Sequence, residues 1–541
     1  MIRYARSHPM PDRRGLFWLS LIVATGFAIR LFYLLHVTSQ PGFQWDDPDS
    51  YMRQGLELAR PGEGWRFSFD AVRHSVEGRH YALPPLYPVF LSLFALFPGF
   101  PLNAQIGQLV LAILGLILVF FLGRRIHSDG AGLVAAGISA LWLPNVIAVW
   151  STMQEALYVP LVLLGFVLLL RAAQEESALW TSLIAGVVFG LAALTRSMAT
   201  YFLPFAAALL VGRPARKSAT RIAGLLLGFA LATVPYSVAL SRHLREPTFI
   251  ENHGGLRVVA RYGGVPGDRP PGPVQTAEAL VRGFLSAPGS FLQDWWDTAK
   301  SLLQVNGGRL LQIYLGAATK GGALAAKIAA HAFADFPLVA VLLLAPFGCL
   351  LCRQPRLAAF LVVWILLNFG LTGLSGFGGS RLRAPFEPHL IALAAVPLAG
   401  SYRSASPLAW VAALAASLGL AITVMPQLPA SLRARADYGV DWPLEAPPKR
   451  SAMFGEAGFN LAAIDGAIEF AARPRNAGRP TRVEVWLDSE RVEPVVIVQQ
   501  GEQEERFRYD WPRSGRVYLE ITARDAATGN PVKMLVIVPS R

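Results

Sequence analysis

A succession of long apolar runs constrains this chain more than any other feature. Runs long enough, or nearly so, to cross about 30 Å of hydrocarbon lie at 16–37, 102–122, 131–150, 156–171, 179–195, 198–212, 222–240, 336–352, 357–374, 386–400 and 407–425, about eleven in all. In lipid every backbone polar group must find its partner inside the protein, so each run is expected as a helix. With 541 residues, 53% of them hydrophobic and 16% charged, and a mean hydropathy of +0.41, the composition excludes a water-soluble globular fold. The expected fold class is therefore a polytopic α-helical membrane protein. The apolar run from Pro84 to Phe97, about fourteen residues, is in the range of interfacial or re-entrant helices and is read as not crossing.

Charge placement fixes the expected orientation. The formal net charge of +13 does not point to nucleic acid, because many of the basic residues sit in short loops between apolar runs. Arg3, Arg6, Arg13 and Arg14 precede a first run too long for a signal-peptide core, so that run is read as a retained span with a cytoplasmic N-terminus. If 84–97 does not cross, then Arg124 and Arg125, the group Arg213, Arg216, Lys217 and Arg221, the pair Arg353 and Arg356, and Arg403 all fall inside. A crossing there would move all of them outside, against the positive-inside rule. This parity gathers loop 38–101, the turn at Gln154 and Glu155, the turn at Thr195 and Arg196, segment 241–335, loop 375–385 and the C-terminal tail on the outer face. Arg53, Arg60, Arg66, Arg73 and Arg79 of the first outer loop are a partial exception, nearly balanced by its acidic residues.

Two regions differ from the spans. Segment 241–335 shows amphipathic patterning over Thr276–Leu285 and Phe291–Leu303, expected as helices lying along the membrane surface. From about residue 426 the chain alternates in strand fashion at 482–488, 494–499, 506–511, 516–524 and 532–539. The expectation is a transmembrane domain over 1–425 followed by a linker and a small β-rich extracytoplasmic domain over 426–541. Cys349 and Cys352, with no second pair or His cluster nearby, are read as small apolar residues at a helix end.

The chemistry-bearing residues gather on the outer face. Asp46, Asp47 and Asp49 follow the first span closely; a carboxylate near like charges and partly desolvated can be tuned as a general base. Asp46 or Asp49 also suits the N-cap of a helix starting at Tyr51. Arg196, Arg381 and Arg383 stand at outer ends of spans, where a guanidinium fork suits phosphate oxygens, although arginines there also snorkel to headgroups. Glu155 opens a helix, Glu387 lies in the stretch Arg383–Pro388, and Tyr87 follows Pro84 and Pro85. Arg30, inside the first span, is expected in a structural ion pair. Trp295, Trp296 and Asp297 read as an interfacial anchor.

These residues stand in an order that resembles the GT-C glycosyltransferases using polyprenyl-phosphate sugars, of the protein O-mannosyltransferase and aminoarabinose-transferase type (glycosyltransferase family 39). The pattern runs over roughly 16–400: Arg30; Asp47-Pro48-Asp49-Ser50-Tyr51; Gly62-Glu63-Gly64-Trp65; Pro84-Pro85-Leu86-Tyr87-Pro88; Gly123-Arg124-Arg125; Gln154-Glu155-Ala156-Leu157-Tyr158; Leu194-Thr195-Arg196; and Arg381-Leu382-Arg383-Ala384-Pro385-Phe386-Glu387-Pro388. The resemblance implies a membrane glycosyltransferase of the bacterial inner membrane that moves a hexosyl or pentosyl group, with inversion, from an undecaprenyl-phosphate-type donor to a lipid, glycan or protein acceptor. It implies Asp47 as base, with Asp49 as the other candidate because Pro48 replaces the Glu that often follows the Asp. Arg196, Arg381 and Arg383 would bind the donor phosphate, and Asp46, Tyr87, Glu155 and Glu387 would contact substrate. The C-terminal tail lies outside the resemblance.

Two rivals make different demands. A metal-dependent oligosaccharyltransferase would use Asp47 and Asp49 as ligands of a divalent cation; Trp295-Trp296-Asp297 resembles part of its acceptor motif, but Thr298-Ala299 stands where Tyr-Gly is expected. No cofactor is required by the preferred reading, and a divalent metal is left open. A lipid-linked sugar transporter would show internal repeats and ionisable groups near mid-bilayer; neither pattern is clear here.

Overall fold

The computed structural model describes residues 12–38, 51–60, 64–76, 79–149, 153–174, 178–212, 215–251, 255, 258–259, 262, 273–305, 324–375, 380–400, 405–428 and, in the tail, 449–454, 456–462, 467–475, 480–487, 490–498, 505–510, 516–527 and 533–538. The helices in chain order are α1 (Arg13–Thr38), α2 (Tyr51–Ala59), α3 (Leu86–Ala95), α4 (Leu102–Ile126), α5 (Asp129–Leu141), α6 (Leu143–Ile147), α7 (Glu155–Gln174), α8 (Leu179–Thr195), α9 (Leu203–Leu209), α10 (Ala215–Leu244), α11 (Pro273–Ser286), α12 (Pro288–Lys300), α13 (Leu324–Leu351), α14 (Pro355–Ser375), α15 (Glu387–Ala394), α16 (Val396–Ala399) and α17 (Pro407–Val424). A short hairpin of β1 (Arg73–Val76) and β2 (Arg79–Ala82) precedes α3.

Six of these helices, α1, α4, α7, α10, α14 and α17, are long and apolar enough to cross a membrane. The other five expected runs form shorter apolar helices: α5, α8, the 3-10 turn Ser197–Phe202 with α9, the 335–351 part of α13, and α15 with α16. Proline marks the interruption in three of them, at α5, α9 and α15 with α16. Pro144 near the start of α6 cannot continue α5, since it has no N–H for the carbonyl of Ala140 and its ring crowds that carbonyl. Trp142 between them is extended, with φ −70° and ψ 109°. Pro204 likewise starts α9, and Pro388 and Pro397 sit in the first turns of α15 and α16. α3, at ten residues, is about 15 Å long, half of the roughly 30 Å that a crossing helix must cover.

A close pairing joins α8 to α10. Gly186 and Gly190 on one face a second pair, Gly224 and Gly228, on the other. A Cβ on Gly228 would lie 2.0 Å from the Leu183 carbonyl oxygen, and one on Gly186 2.1 Å from that of Leu225. Small residues four apart let the two backbones touch, the packing that substitutes for hydrophobic drive between helices in lipid. The main core lies between α4, α7, α8, α13, α14 and α15, with Phe166, Phe189, Phe202, Trp364 and His389 as its aromatic centre.

Arg30 on α1 makes no ion pair with any described residue. It is fully buried, and its guanidinium donates to the carbonyl oxygens of Gly26 (3.1 Å), Ala140 (2.9 Å) and Ser139 (3.0 Å). Ala140 is the residue whose carbonyl Pro144 leaves without its usual helical donor. The arginine therefore caps the broken end of α5, in place of the expected carboxylate partner.

α11 and α12 occupy the two amphipathic stretches. α12 docks on α14: the Trp295 indole donates to the Gly370 carbonyl at 3.2 Å, and Gly373 leaves room for its ring. Trp296, by contrast, is 44% exposed, and Asp297 pairs with Lys300 on the same helix. Cys352 donates its thiol to the Cys349 carbonyl, and neither cysteine is in a disulfide.

In the tail eight strands, β3 (Lys449–Phe454), β4 (Glu456–Ala462), β5 (Ala467–Arg475), β6 (Thr481–Leu487), β7 (Glu490–Val498), β8 (Glu505–Asp510), β9 (Arg516–Asp525) and β10 (Lys533–Val538), form two antiparallel four-stranded sheets, ordered β3-β10-β5-β8 and β4-β9-β6-β7. Five of them coincide with the runs of alternation; β3, β4 and β5 were not marked by it.

Candidate active site

The site is assembled where the start of α7, the end of α8 and the segment 380–388 meet. Glu155 is the first residue of α7, where a carboxylate suits the helix dipole, and it is buried. Arg196 follows the last residue of α8 with an extended backbone, φ −156° and ψ 117°, which turns its side chain out of the helix line. Its Nη1 lies 3.3 Å from Glu155 Oε1, longer than the 2.7–2.9 Å usual for such a charge-assisted bond. The Arg196 side chain is 14% exposed and that of Glu155 4%. The next residue, Ser197, donates its hydroxyl to Glu251. Tyr158, about one turn beyond Glu155, is fully buried, and its hydroxyl has no hydrogen-bond partner among the described residues.

Arg383 and Glu387 sit i, i+4 across the junction of the 3-10 turn Ser380–Arg383 and α15. Arg383 Nε donates to Glu387 Oε1 at 2.7 Å, and its Nη1 donates to the carbonyls of Leu302 (2.6 Å) and Gln304 (3.1 Å) at the end of the α12 segment. The second Glu387 oxygen accepts from the Trp142 indole at 2.7 Å. Both charged side chains are buried, at 5% and 1% exposure. Arg383, expected as a phosphate ligand, thus bonds both to Glu387 and to the 302–304 backbone.

Between α4, α5, α6, α7 and the 384–388 segment runs a groove. Gln108, Asn145, Val149, Glu155, Ala384 and Pro388 line one part of it, and the apolar side chains of Leu116, Val119 and Leu163 line another. Gln108 spans the polar part: its amide nitrogen donates to the Val149 carbonyl at 2.8 Å, and its oxygen accepts from the Tyr87 hydroxyl at 2.7 Å. Tyr87 packs edge-on against Tyr51, ring centroids 5.1 Å apart. Thus Tyr87, Glu155 and Glu387 are brought to or beside one groove, and Arg196 joins through Glu155. Asp46, Asp47 and Asp49 lie outside the described residues, as does the Arg381 side chain, although its backbone belongs to the 3-10 turn. Among the described residues no three His, Cys, Asp or Glu side chains gather as a metal site.

Sequence reasoning missed Trp142, Gln108, Tyr158 and Glu251. Gln108 carried a usable signal, a carboxamide inside a strongly apolar helix, which in lipid needs a partner. Trp142 carried none, since its acceptor lies 245 positions away.

Comparison with known proteins adds three facts. Residues 82–241, from β2 through most of α10, match the family model of dolichyl-phosphate-mannose-protein mannosyltransferases. No curated protein matches the chain. Among solved structures, ArnT from Cupriavidus metallidurans bound to undecaprenyl phosphate aligns at 17% identity and TM-score 0.41, covering 75% of this chain and 63% of its own. The oligosaccharyltransferase AglB from Archaeoglobus fulgidus, with an inhibitory peptide and dolichol phosphate, aligns at 13% identity and TM-score 0.40, covering 78% and 56%. The chain thus spans less than two thirds of either structure, and likenesses this slight carry no residue roles across. The stretch that matches the family model, 82–241, includes α7, α8 and the Glu155–Arg196 pair.

Proposed function

We propose that the protein transfers a sugar from a polyprenyl-phosphate donor to a lipid, glycan or protein acceptor at the outer face of the bacterial inner membrane, with inversion at the anomeric carbon. Asp47, or Asp49 beside it, takes the proton of the acceptor hydroxyl or amine as that atom attacks the anomeric carbon. The bond from the sugar to the phosphate oxygen breaks, and the polyprenyl phosphate leaves carrying the electron pair. Arg196 and Arg381 stabilise the charge that develops on it, an electrostatic contribution that is often the largest in catalysis. Arg383, its charge balanced by Glu387, keeps the 302–304 backbone against the site.

The observation that carries this reading is that Glu155, paired with Arg196, lines a groove whose polar part ends in apolar walls. A phosphate at the arginine and an isoprenoid along Leu116, Val119 and Leu163 fit that sequence of surfaces. Tyr51, two positions after Asp49, packs on Tyr87, which is bonded to Gln108 of the same groove. The test is Asp47→Asn, which should leave folding and donor binding intact and cut turnover by about 10² or more. Full turnover in that variant together with its loss in Asp49→Asn moves the base to Asp49, and full turnover in both ends the proposal.

A further inference from the structure

Four residues with polar side chains line the groove, Gln108, Ser139, Asn145 and Glu155, and three of them are buried. Asn145 is half-buried, and so within reach of what enters. Helical spacing turns it that way: Pro144, Asn145, Ala148 and Val149, at i, i+1, i+4 and i+5, all line the groove, whereas Leu143 and Val146 of the same turn are buried and take no part in it. Its backbone N–H donates to the Trp142 carbonyl at 3.0 Å, but its carboxamide meets no hydrogen-bond partner among the described residues. Asn103 and Asn368 differ, each donating to a backbone carbonyl at 2.7 Å. Gln108 is committed to Tyr87 and Val149, and Glu155 to Arg196. The fold thus leaves the Asn145 carboxamide uncommitted, a donor and an acceptor side by side.

We infer that Asn145 reads the donor sugar: its carboxamide donates to one ring hydroxyl and accepts from the next. This deepens the transferase reading given above and rests on it. The sugar is bonded directly to the phosphate assigned to Arg196, and Arg196 pairs with Glu155 of the same groove, so a ring joined to that phosphate enters the groove's polar part. A pair of hydroxyls both donates and accepts, which a carboxamide matches; a phosphate oxygen only accepts. The neighbouring lining residues Ala112, Gly115, Ala148, Ala156 and Ala384 are small, and a Cβ on Gly115 would meet nothing within 4 Å. They leave room for the C–H face of a ring. Water serves the carboxamide in the free protein and gives way to the hydroxyls, whose arrangement then decides which sugars fit.

The experiment measures Kd for the full-length protein in uncharged lipid nanodiscs with undecaprenyl phosphate, either bare or bearing glucose, mannose, galactose or arabinose. The parent should bind one of the four glycolipids about tenfold more tightly than the others. Asn145→Leu, similar in size but without the polar atoms, should shrink that preference to within about twofold and leave Kd for the bare lipid phosphate unchanged. Arg196→Ala should weaken binding of all five lipids. If the parent shows no preference among the sugars, or Asn145→Leu keeps it, the inference falls, while weaker binding in Arg196→Ala leaves the transferase reading standing. If Arg196→Ala binds every lipid as the parent does, the placement of the phosphate falls and the inference with it. An equal loss for bare and sugar-bearing lipid in Asn145→Leu marks a structural role and overturns the inference, as does failure of both Asn145→Leu and Asn145→Ala to fold.

Discussion

Arg383 and Glu387 form a buried pair 2.7 Å apart in which each partner also ties down a distant part of the chain, the arginine the carbonyls of Leu302 and Gln304 and the glutamate the indole of Trp142. Removing one member leaves the other charge enclosed without compensation. Glu387→Gln is expected to destabilise the protein by about 3–5 kcal/mol, read as a lower unfolding temperature in detergent. A change within half a kcal/mol would show that the pair contributes little. Trp142→Phe, which removes only a neutral donor, should cost less, about 1–3 kcal/mol.

The contact between α8 and α10 predicts a second class of defect. An added methyl on Gly228 meets the Leu183 carbonyl oxygen at 2.0 Å, too close for any side-chain adjustment to relieve. Gly228→Ala should force the helices apart and cost about 1–3 kcal/mol or more, whereas Gly137→Ala, where nothing lies within 4 Å of the new carbon, should be silent. Folded yield by size-exclusion chromatography compares the two directly.

Gly373 makes a more local prediction. A Cβ there would lie 2.5 Å from the Trp295 ring, so Gly373→Ala should lift α12 from α14 while the spans stay assembled. Hydrogen exchange across 288–303 should accelerate; unchanged protection would mean that Trp295 is not what holds this helix.

Metal removal separates the two enzyme readings. A transferase that relies on arginines for its leaving group should keep its activity in EDTA. Activity that is lost in EDTA and restored by Mn²⁺ or Mg²⁺ would transfer Asp47 and Asp49 to the role of ligands.

Hydropathy alone located the helices well, because a bilayer demands long apolar runs with internally satisfied backbones; α8 begins and ends where its run does. It overlooked the break at Trp142, because hydropathy scores Leu143-Pro144 as apolar and only the proline's missing N–H ends the helix. The i, i+4 spacing of Arg383 and Glu387 was visible in the sequence. Their use was not, since the carbonyls that occupy Arg383 belong to residues about eighty positions earlier, and backbone acceptors have no sequence signature. Glu155 and Arg196 were both suspected from their places at helix ends, yet their meeting depended on how α7 and α8 pack, which no local pattern specifies.

The cap that Arg30 places on α5 imposes an order on biosynthesis. Its acceptors on α5 lie 109 and 110 positions downstream, so the first segment leaves the ribosome long before they exist. Until then a guanidinium midway along that segment opposes insertion by about 2.5–3.5 kcal/mol, and the nascent helix depends on the insertion machinery or a temporary neighbour to stay in place. Arrival of α5 removes that debt and locks the first helix, so assembly of the N-terminal third should proceed as one late, concerted event rather than helix by helix.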